Sequence, residues 1–196
     1  MHGAEAALKR ALALDPANAE VHLQLGAVYG RQNRANEAMT HLLKAADANP
    51  ESPDVQLAIG NVHLITGDAT AAENSYTKAL RLAPSDPVIY FNLGLIAQSR
   101  FDHRTALENF ERTCELAPLM PGAVKNRTYA QIELGLHEAA VGQLRQLSEQ
   151  RPQECEVLFS FGYALRCQHH PELAIHYFER ARQHGNADPE LLLNHG

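Results

Sequence analysis

The chain has 196 residues, 45% of them hydrophobic, enough for one compact domain or a short array of repeats with a sizeable core. Its 17 Lys and Arg against 23 Asp and Glu give a formal charge of −6, without the basic stripe that a nucleic-acid backbone needs, so no nucleic-acid partner is expected. No apolar run approaches the roughly 20 residues of a membrane span, and the opening MHGAEAALKRALALDP lacks a signal peptide's apolar centre and cleavage pattern. No membrane partner is expected, and the reading is cytoplasmic, or periplasmic if a leader has been removed.

In chain order, residues 1–18 read as the helix B and exit turn of a partial repeat, ending at Asp15-Pro16. A unit of helix A, turn, helix B and turn then recurs over 19–52, 53–86, 87–120, 121–154 and 155–188. Residues 189–196, PELLLNHG, open a further helix A. The period carries this division. Pro16, Pro50, Pro84, Pro118 and Pro152 lie 34 residues apart, and Pro53, Pro87, Pro121 and Pro189 fall on the same period with one gap at Cys155. Ala4, Ala38, Ala72, Ala106, Ala140 and Ala174 form an unbroken series; Gly26, Gly60, Gly94, Gly162 and Gly196 form another, interrupted only at Thr128.

Each copy has the same physical logic. The lattice glycine follows a large apolar residue, as in Leu25-Gly26, Ile59-Gly60, Leu93-Gly94 and Phe161-Gly162. A mid-helix glycine costs about 1 kcal/mol relative to alanine, so it is expected where a second helix must approach closely. The lattice alanine supplies the same closeness from helix B. Four residues later, Leu42, Tyr76, Phe110, Leu144 or Phe178 fills the space between the helices. Gly67 and Gly135 mark the turn, and a proline stops helix B. Ser52-Pro53, Asp86-Pro87 and Asp188-Pro189 read as caps with proline at the first helical position.

A 34-residue helix-turn-helix with Leu-Gly, then Ala, an aromatic and Pro resembles the tetratricopeptide repeat, over essentially the whole chain. The resemblance implies an all-α, right-handed superhelical solenoid of antiparallel helix pairs, forming one array over 1–196. Both ends cut through a repeat, so a piece of a longer protein is expected. Repeat 121–154 carries Arg127-Thr128 where Leu-Gly belongs, which predicts looser packing there.

In this family the helices A line the concave face, so the resemblance implies a protein or peptide ligand held in that groove. Carried over repeat by repeat, the candidate binding residues are Leu23, Arg31, Leu57, Asn61, Leu64, Phe91, Leu95, Lys125, Tyr129, Phe159, Tyr163 and Arg166. Ile65 and Ile132 extend the apolar stripe, and Gly122 and Glu156 stand near the starts of the fourth and fifth helices A. Such stripes mark interaction sites if open, or packing if the winding buries them. The Lys/Asn carboxylate clamp of chaperone-binding members is not matched: its positions hold Leu23, Ala27, Ala58, Val88 and Asn92. Asn92, Asn126 and Asn194 more weakly resemble the asparagine ladder of O-linked N-acetylglucosamine transferases, broken here by Gln24, Ala58 and Ser160.

Sought chemistry is sparse. The chain contains no G-x-G-x-x-G, P-loop, H-E-x-x-H or C-x-x-C motif. Cys114, Cys155 and Cys167 are no disulfide framework, and on one helix Cys155 and Cys167 would lie about 18 Å apart. Cys167, His169, His170 and His176 cluster in sequence but read as solvated turn residues rather than metal ligands, and His103, His137 and His170 recur along one edge of successive turns as a weak pH-sensitive patch. No enzyme activity and no cofactor or metal is expected. The first reading is a peptide- or protein-binding scaffold. The alternative is the substrate-recruiting, non-catalytic arm of a larger glycosyltransferase or sulfotransferase. Self-association through the cut ends is a third expectation.

Overall fold

Proline, glycine and alanine at fixed intervals cut the chain into helices of 11 to 14 residues. The computed structural model describes residues 2–185. It contains, among those residues, eleven helices and no strand: α1 His2–Leu14, α2 Ala19–Arg31, α3 Ala35–Ala48, α4 Pro53–Ile65, α5 Ala69–Leu82, α6 Pro87–Ser99, α7 His103–Leu116, α8 Ala123–Glu133, α9 His137–Gln150, α10 Cys155–Cys167 and α11 Pro171–His184. The expected further helix A, with its Asp188-Pro189 cap, lies outside the described residues.

The chain divides into two compact units, Met1–Ile96 and Ala97–Gly196. In the first, Leu25, Ala38, Leu42 and Ala45 of the α2–α3 pair pack with Val55, Ile59 and Val62 of α4, and Leu8 and Leu12 of α1 lie against this cluster. A neighbouring cluster joins Ala72, Tyr76 and Ala79 of α5 to Ile89 and Ile96 of α6. In the second, Val124, Ala140, Val141 and Leu144 pack with Val157, Phe161 and Ala164.

The lattice glycines sit where helices touch. A Cβ at Gly26 would lie 2.5 Å from the Leu42 side chain, one at Gly60 2.4 Å from the Tyr76 ring, and one at Gly162 2.7 Å from the Phe178 ring. Each partner stands sixteen residues on, so one steric rule repeats along the chain.

Every A–B turn closes in the same way. Asn33, Gly67, Phe101, Gly135 and His169 all take positive φ, between 59° and 81°. The amide of each bonds back three residues, and the next amide bonds back five: Asn33 to Gly30 and Arg34 to Tyr29 at 2.9 Å, and likewise His169 to Arg166 at 3.0 Å and His170 to Leu165 at 2.9 Å. These bonds satisfy the carbonyls that a helix end leaves open. Asp68 and Asp102 then cap the next helix, accepting from Ala71 at 2.9 Å and Thr105 at 3.1 Å; Arg34, Leu136 and His170 in the equivalent place provide no such cap.

The fourth pair departs from the rule. Thr128, 1% exposed, stands where its counterparts are glycine, and its hydroxyl donates to the Val124 carbonyl at 2.9 Å. Its side chain holds α9 away, and α8 and α9 meet over a much shorter stretch than α2–α3, α4–α5 or α10–α11. This is the loosening expected from Arg127-Thr128. Helix α8 also begins at Ala123, because Gly122 takes φ 81° as the residue before the helix.

Candidate functional site

In the first unit the candidate residues lie on α2, α4 and α6. Leu23 is half-buried against the α2–α4 core, and Leu57 and Leu64 are half-buried against the α5–α6 cluster. Arg31 and Ile65 are exposed, while Phe91 and Leu95 are half-buried. Asn61 is exposed, and its Oδ1 accepts from the Tyr76 hydroxyl at 2.7 Å and from Asn92 Nδ2 at 3.5 Å. An amide has two donors besides its acceptor, so the Asn61 side-chain nitrogen stays available. The structure thus gathers Leu57, Asn61 and Leu64 along one helix and ties Asn61 to Asn92 of α6.

In the second unit α8 packs directly against α10. Tyr129 of α8 is half-buried, its ring edge-on to His103 at 6.0 Å between centroids. Burial pushes its hydroxyl pKa up, and the Glu133 carboxylate adds to this. Tyr163 of α10 is half-buried, and the exposed Arg166 guanidinium sits 5.3 Å from its ring centroid. Burial, reinforced by Cys167 and then Glu133 and opposed by Arg166, pushes the Tyr163 hydroxyl up to about 12. Lys125 is half-buried on α8. Two phenols, one with a guanidinium beside its ring and both near the Glu133 carboxylate, therefore lie on two adjoining helices A.

Phe159 requires a correction. It is 6% exposed and lies within the core formed with Leu158 and Ala181, its ring 5.3 Å from that of Phe178. The phenylalanine is large enough to reach helix B, so it packs rather than lining an open wall. Glu156, expected near the groove, instead turns its carboxylate to the start of α8.

The other candidate chemistry stays dispersed. Cys114, Cys155 and Cys167 are free, and burial pushes the Cys114 and Cys155 thiols up, away from the reactive thiolate. Cys167, His169 and His170 share with His137 the rim of a cleft of about 840 Å³ beside the turns. No group of three or more His, Cys, Asp or Glu among the described residues is arranged to hold a metal. Asn126 is half-buried, and Asn194 of the expected ladder lies outside the described residues. No helix among the described residues is long and apolar enough to cross a membrane.

Two tetratricopeptide-repeat family models match the chain, one over residues 1–62 and one over 53–86. Solved structures match nearly end to end. YrrB, a tetratricopeptide protein with an unusual peptide-binding site, aligns with TM-score 0.69 and 18% identity over 96% of this chain and 97% of its own. PilF of Pseudomonas aeruginosa aligns with TM-score 0.72 and 18% identity over 87% and 78%. MamA aligns with TM-score 0.68 and 18% identity over 85% and 91%. Residues 1–86 are thus identified as tetratricopeptide repeats. The likeness to these structures is one of fold. No curated protein sequence matches the chain. Tetratricopeptide repeats are generally non-catalytic interaction scaffolds, and no catalytic family is indicated.

Sequence reasoning missed two features of this tetratricopeptide array. His22, 3% exposed, bonds through Nδ1 to His41 Nδ1 at 2.8 Å, with its Nε2 3.1 Å from the Pro16 carbonyl. A histidine in the place of a bulky apolar residue near the start of helix A was the available signal. The second is the setting of Arg127, whose break in the Leu25, Ile59, Leu93, Phe161 series was visible in the sequence but whose surroundings were not.

Proposed function

We propose that this chain is a protein-interaction module that holds an extended peptide in the concave groove of its tetratricopeptide repeats, against the helix A faces. The observation that carries this reading is the pairing of Tyr129 and Tyr163 on adjoining helices α8 and α10. Neither ring is fully buried; Arg166 lies over the Tyr163 ring, Glu133 is near both hydroxyls, and Lys125 precedes Tyr129 by one turn of α8. Rigid aromatics with flanking charges are what binding hot spots are built from. In the first unit, Asn61 and Asn92 add amide groups suited to peptide backbone, and Leu57, Leu64, Phe91 and Leu95 add apolar surface beside them. Leu23 and Arg31 extend that surface along α2. The peptide-binding site of YrrB, on a similar fold, agrees with this use of the scaffold. The reading as the recruiting arm of a transferase draws no support from the comparisons.

The test is selection of peptides from a displayed random library, followed by titration of an enriched peptide into Tyr163→Ala and Tyr129→Ala. Each variant should weaken binding by about 2 kcal/mol or more while leaving the thermal midpoint in place. Parallel loss of stability and affinity would assign these rings to the core and remove the proposal.

A further inference from the structure

One position of the repeat lattice has changed its chemistry. Leu25, Ile59, Leu93 and Phe161 occupy it in four repeats, with Leu25, Ile59 and Phe161 buried and Leu93 packed on the core. The fourth repeat places Arg127 there. Its Nε is shut off from solvent and has no hydrogen-bond partner, and Arg127 is in no ion pair among the described residues. Thr128 keeps α9 at a distance, and a cleft of about 240 Å³ opens, lined by Arg127 of α8 and Gln143, Gln146, Leu147 and Gln150 of α9. None of these lining residues is acidic. One turn on, Gln131 is 2% exposed and donates from Nε2 to Gln143 Oε1 at 3.0 Å, which leaves its own Oε1 buried and without a donor.

Arg127 is half-buried, and a buried guanidinium N–H left without an acceptor is less favourable than an apolar side chain in the same place. The geometry points to a carboxylate as its partner: the cleft between α8 and α9 is a binding site for one acidic group of a polypeptide. The Arg127 fork donates to the carboxylate oxygens, and the side-chain amides of Gln143, Gln146 and Gln150 donate around it. The cleft is smaller than the roughly 300–1,000 Å³ of ordinary small-molecule sites. It takes one acidic side chain or a chain terminus, not a nucleotide or a large cofactor. Arg127 is the one cation among the residues lining the cleft, and the chain's formal charge is −6, which favours a carboxylate over a more highly charged phosphate. The cleft lies on the seam between helices A and B of the fourth repeat, so it does not depend on the peptide groove proposed above.

The experiment follows arginine Nε–H and glutamine side-chain resonances by ¹⁵N NMR of the full chain, with Arg127 assigned by its loss in Arg127→Lys. Two probes distinguish the source of the carboxylate: N-acetylglycine presents a chain terminus, and N-acetylglutamate α-amide an acidic side chain. N-acetylglutamine amide is the neutral control, and inorganic phosphate the competing anion. At least one carboxylate probe should shift the Arg127 and Gln143 signals saturably, and the neutral control should not. Arg127→Leu, which restores the lattice residue and should fold at least as stably, should weaken binding about tenfold or more, as expected for a lost charge-assisted hydrogen bond. Arg127→Lys, which keeps charge but loses the fork, should also weaken it. Tyr163→Ala should leave these shifts unchanged, so failure here is separable from failure of the groove. Silence with both carboxylates, equal response to the neutral amide, tighter binding of phosphate, or full binding by Arg127→Leu would each overturn the assignment.

Discussion

The Glu156 carboxylate on α10 accepts the Gly122 amide at 2.8 Å and, through its other oxygen, the Lys125 amide at 3.1 Å. Helix α8 has no side-chain cap of its own, since the residue before it is glycine. A residue 34 positions away therefore satisfies its orphan amides and faces the positive end of its dipole. Glu156→Ala should cost about 1–2 kcal/mol, the ordinary cost of losing a helix cap, measured as a lower urea midpoint. An unchanged midpoint would show that water replaces the carboxylate without loss.

Gly60 and Gly142 predict opposite outcomes for one substitution. A methyl at Gly60 would enter the Tyr76 ring, whereas one at Gly142 on α9 meets nothing within 4 Å. Gly60→Ala should destabilise by about 1–3 kcal/mol, as overpacking does. Gly142→Ala should stabilise by about 0.5–1 kcal/mol through helix propensity alone. Thermal melts of the two variants check both signs, and similar shifts in one direction would refute the close-approach account.

Phe101 occupies the left-handed turn position at φ 59° while 80% exposed. That conformation costs a residue with a side chain about 1–2 kcal/mol, and an exposed ring returns little of it. Phe101→Gly should raise stability by about 1 kcal/mol, read from the chemical-denaturation midpoint. A loss would mean that the ring contact with His103, at 6.3 Å between centroids, outweighs the strain.

The His22–His41 pair makes the first unit acid-sensitive. With Nε2 of His22 donating to the Pro16 carbonyl, neutral His22 accepts at Nδ1 and His41 donates. Burial, and then the neighbouring His22, hold the His41 pKa below its ordinary 6.5. A base with a depressed folded pKa contributes stability that is present above pH 6.5 and lost as pH falls through the lower value. His41→Gln, which keeps an amide donor and does not titrate, should flatten the fall in stability below that pH. The urea midpoint across a pH series is the measurement, and an identical slope in the variant would remove the pair from the account.

The fold and the family were legible because their signals are steric. A glycine, an alanine and a filling residue at fixed separations encode how closely two helices can approach, and that information is local to each repeat. The looseness of the fourth pair was legible for the same reason, as Thr128 in a glycine series. What escaped depends on tertiary neighbours. Proline at Pro121 suggested a helix start, but the left-handed Gly122 delayed it to Ala123. Phe159 looked like groove because its position is groove in the family, yet its ring is long enough to reach Phe178. Glu156 was expected near the groove, and only the uncapped start of α8 shows why its carboxylate turns there.

The loose contact between α8 and α9 has a consequence for how this gene segment can evolve. The α2–α3, α4–α5 and α10–α11 pairs meet chiefly through each other, so such a copy could in principle be duplicated or moved as a cassette. The fourth borrows its cap from α10, and α9 packs more extensively on α10 than on α8. Excising the segment that follows it would remove both that cap and the more extensive packing of α9 on α10, which favours keeping the fourth and fifth copies together.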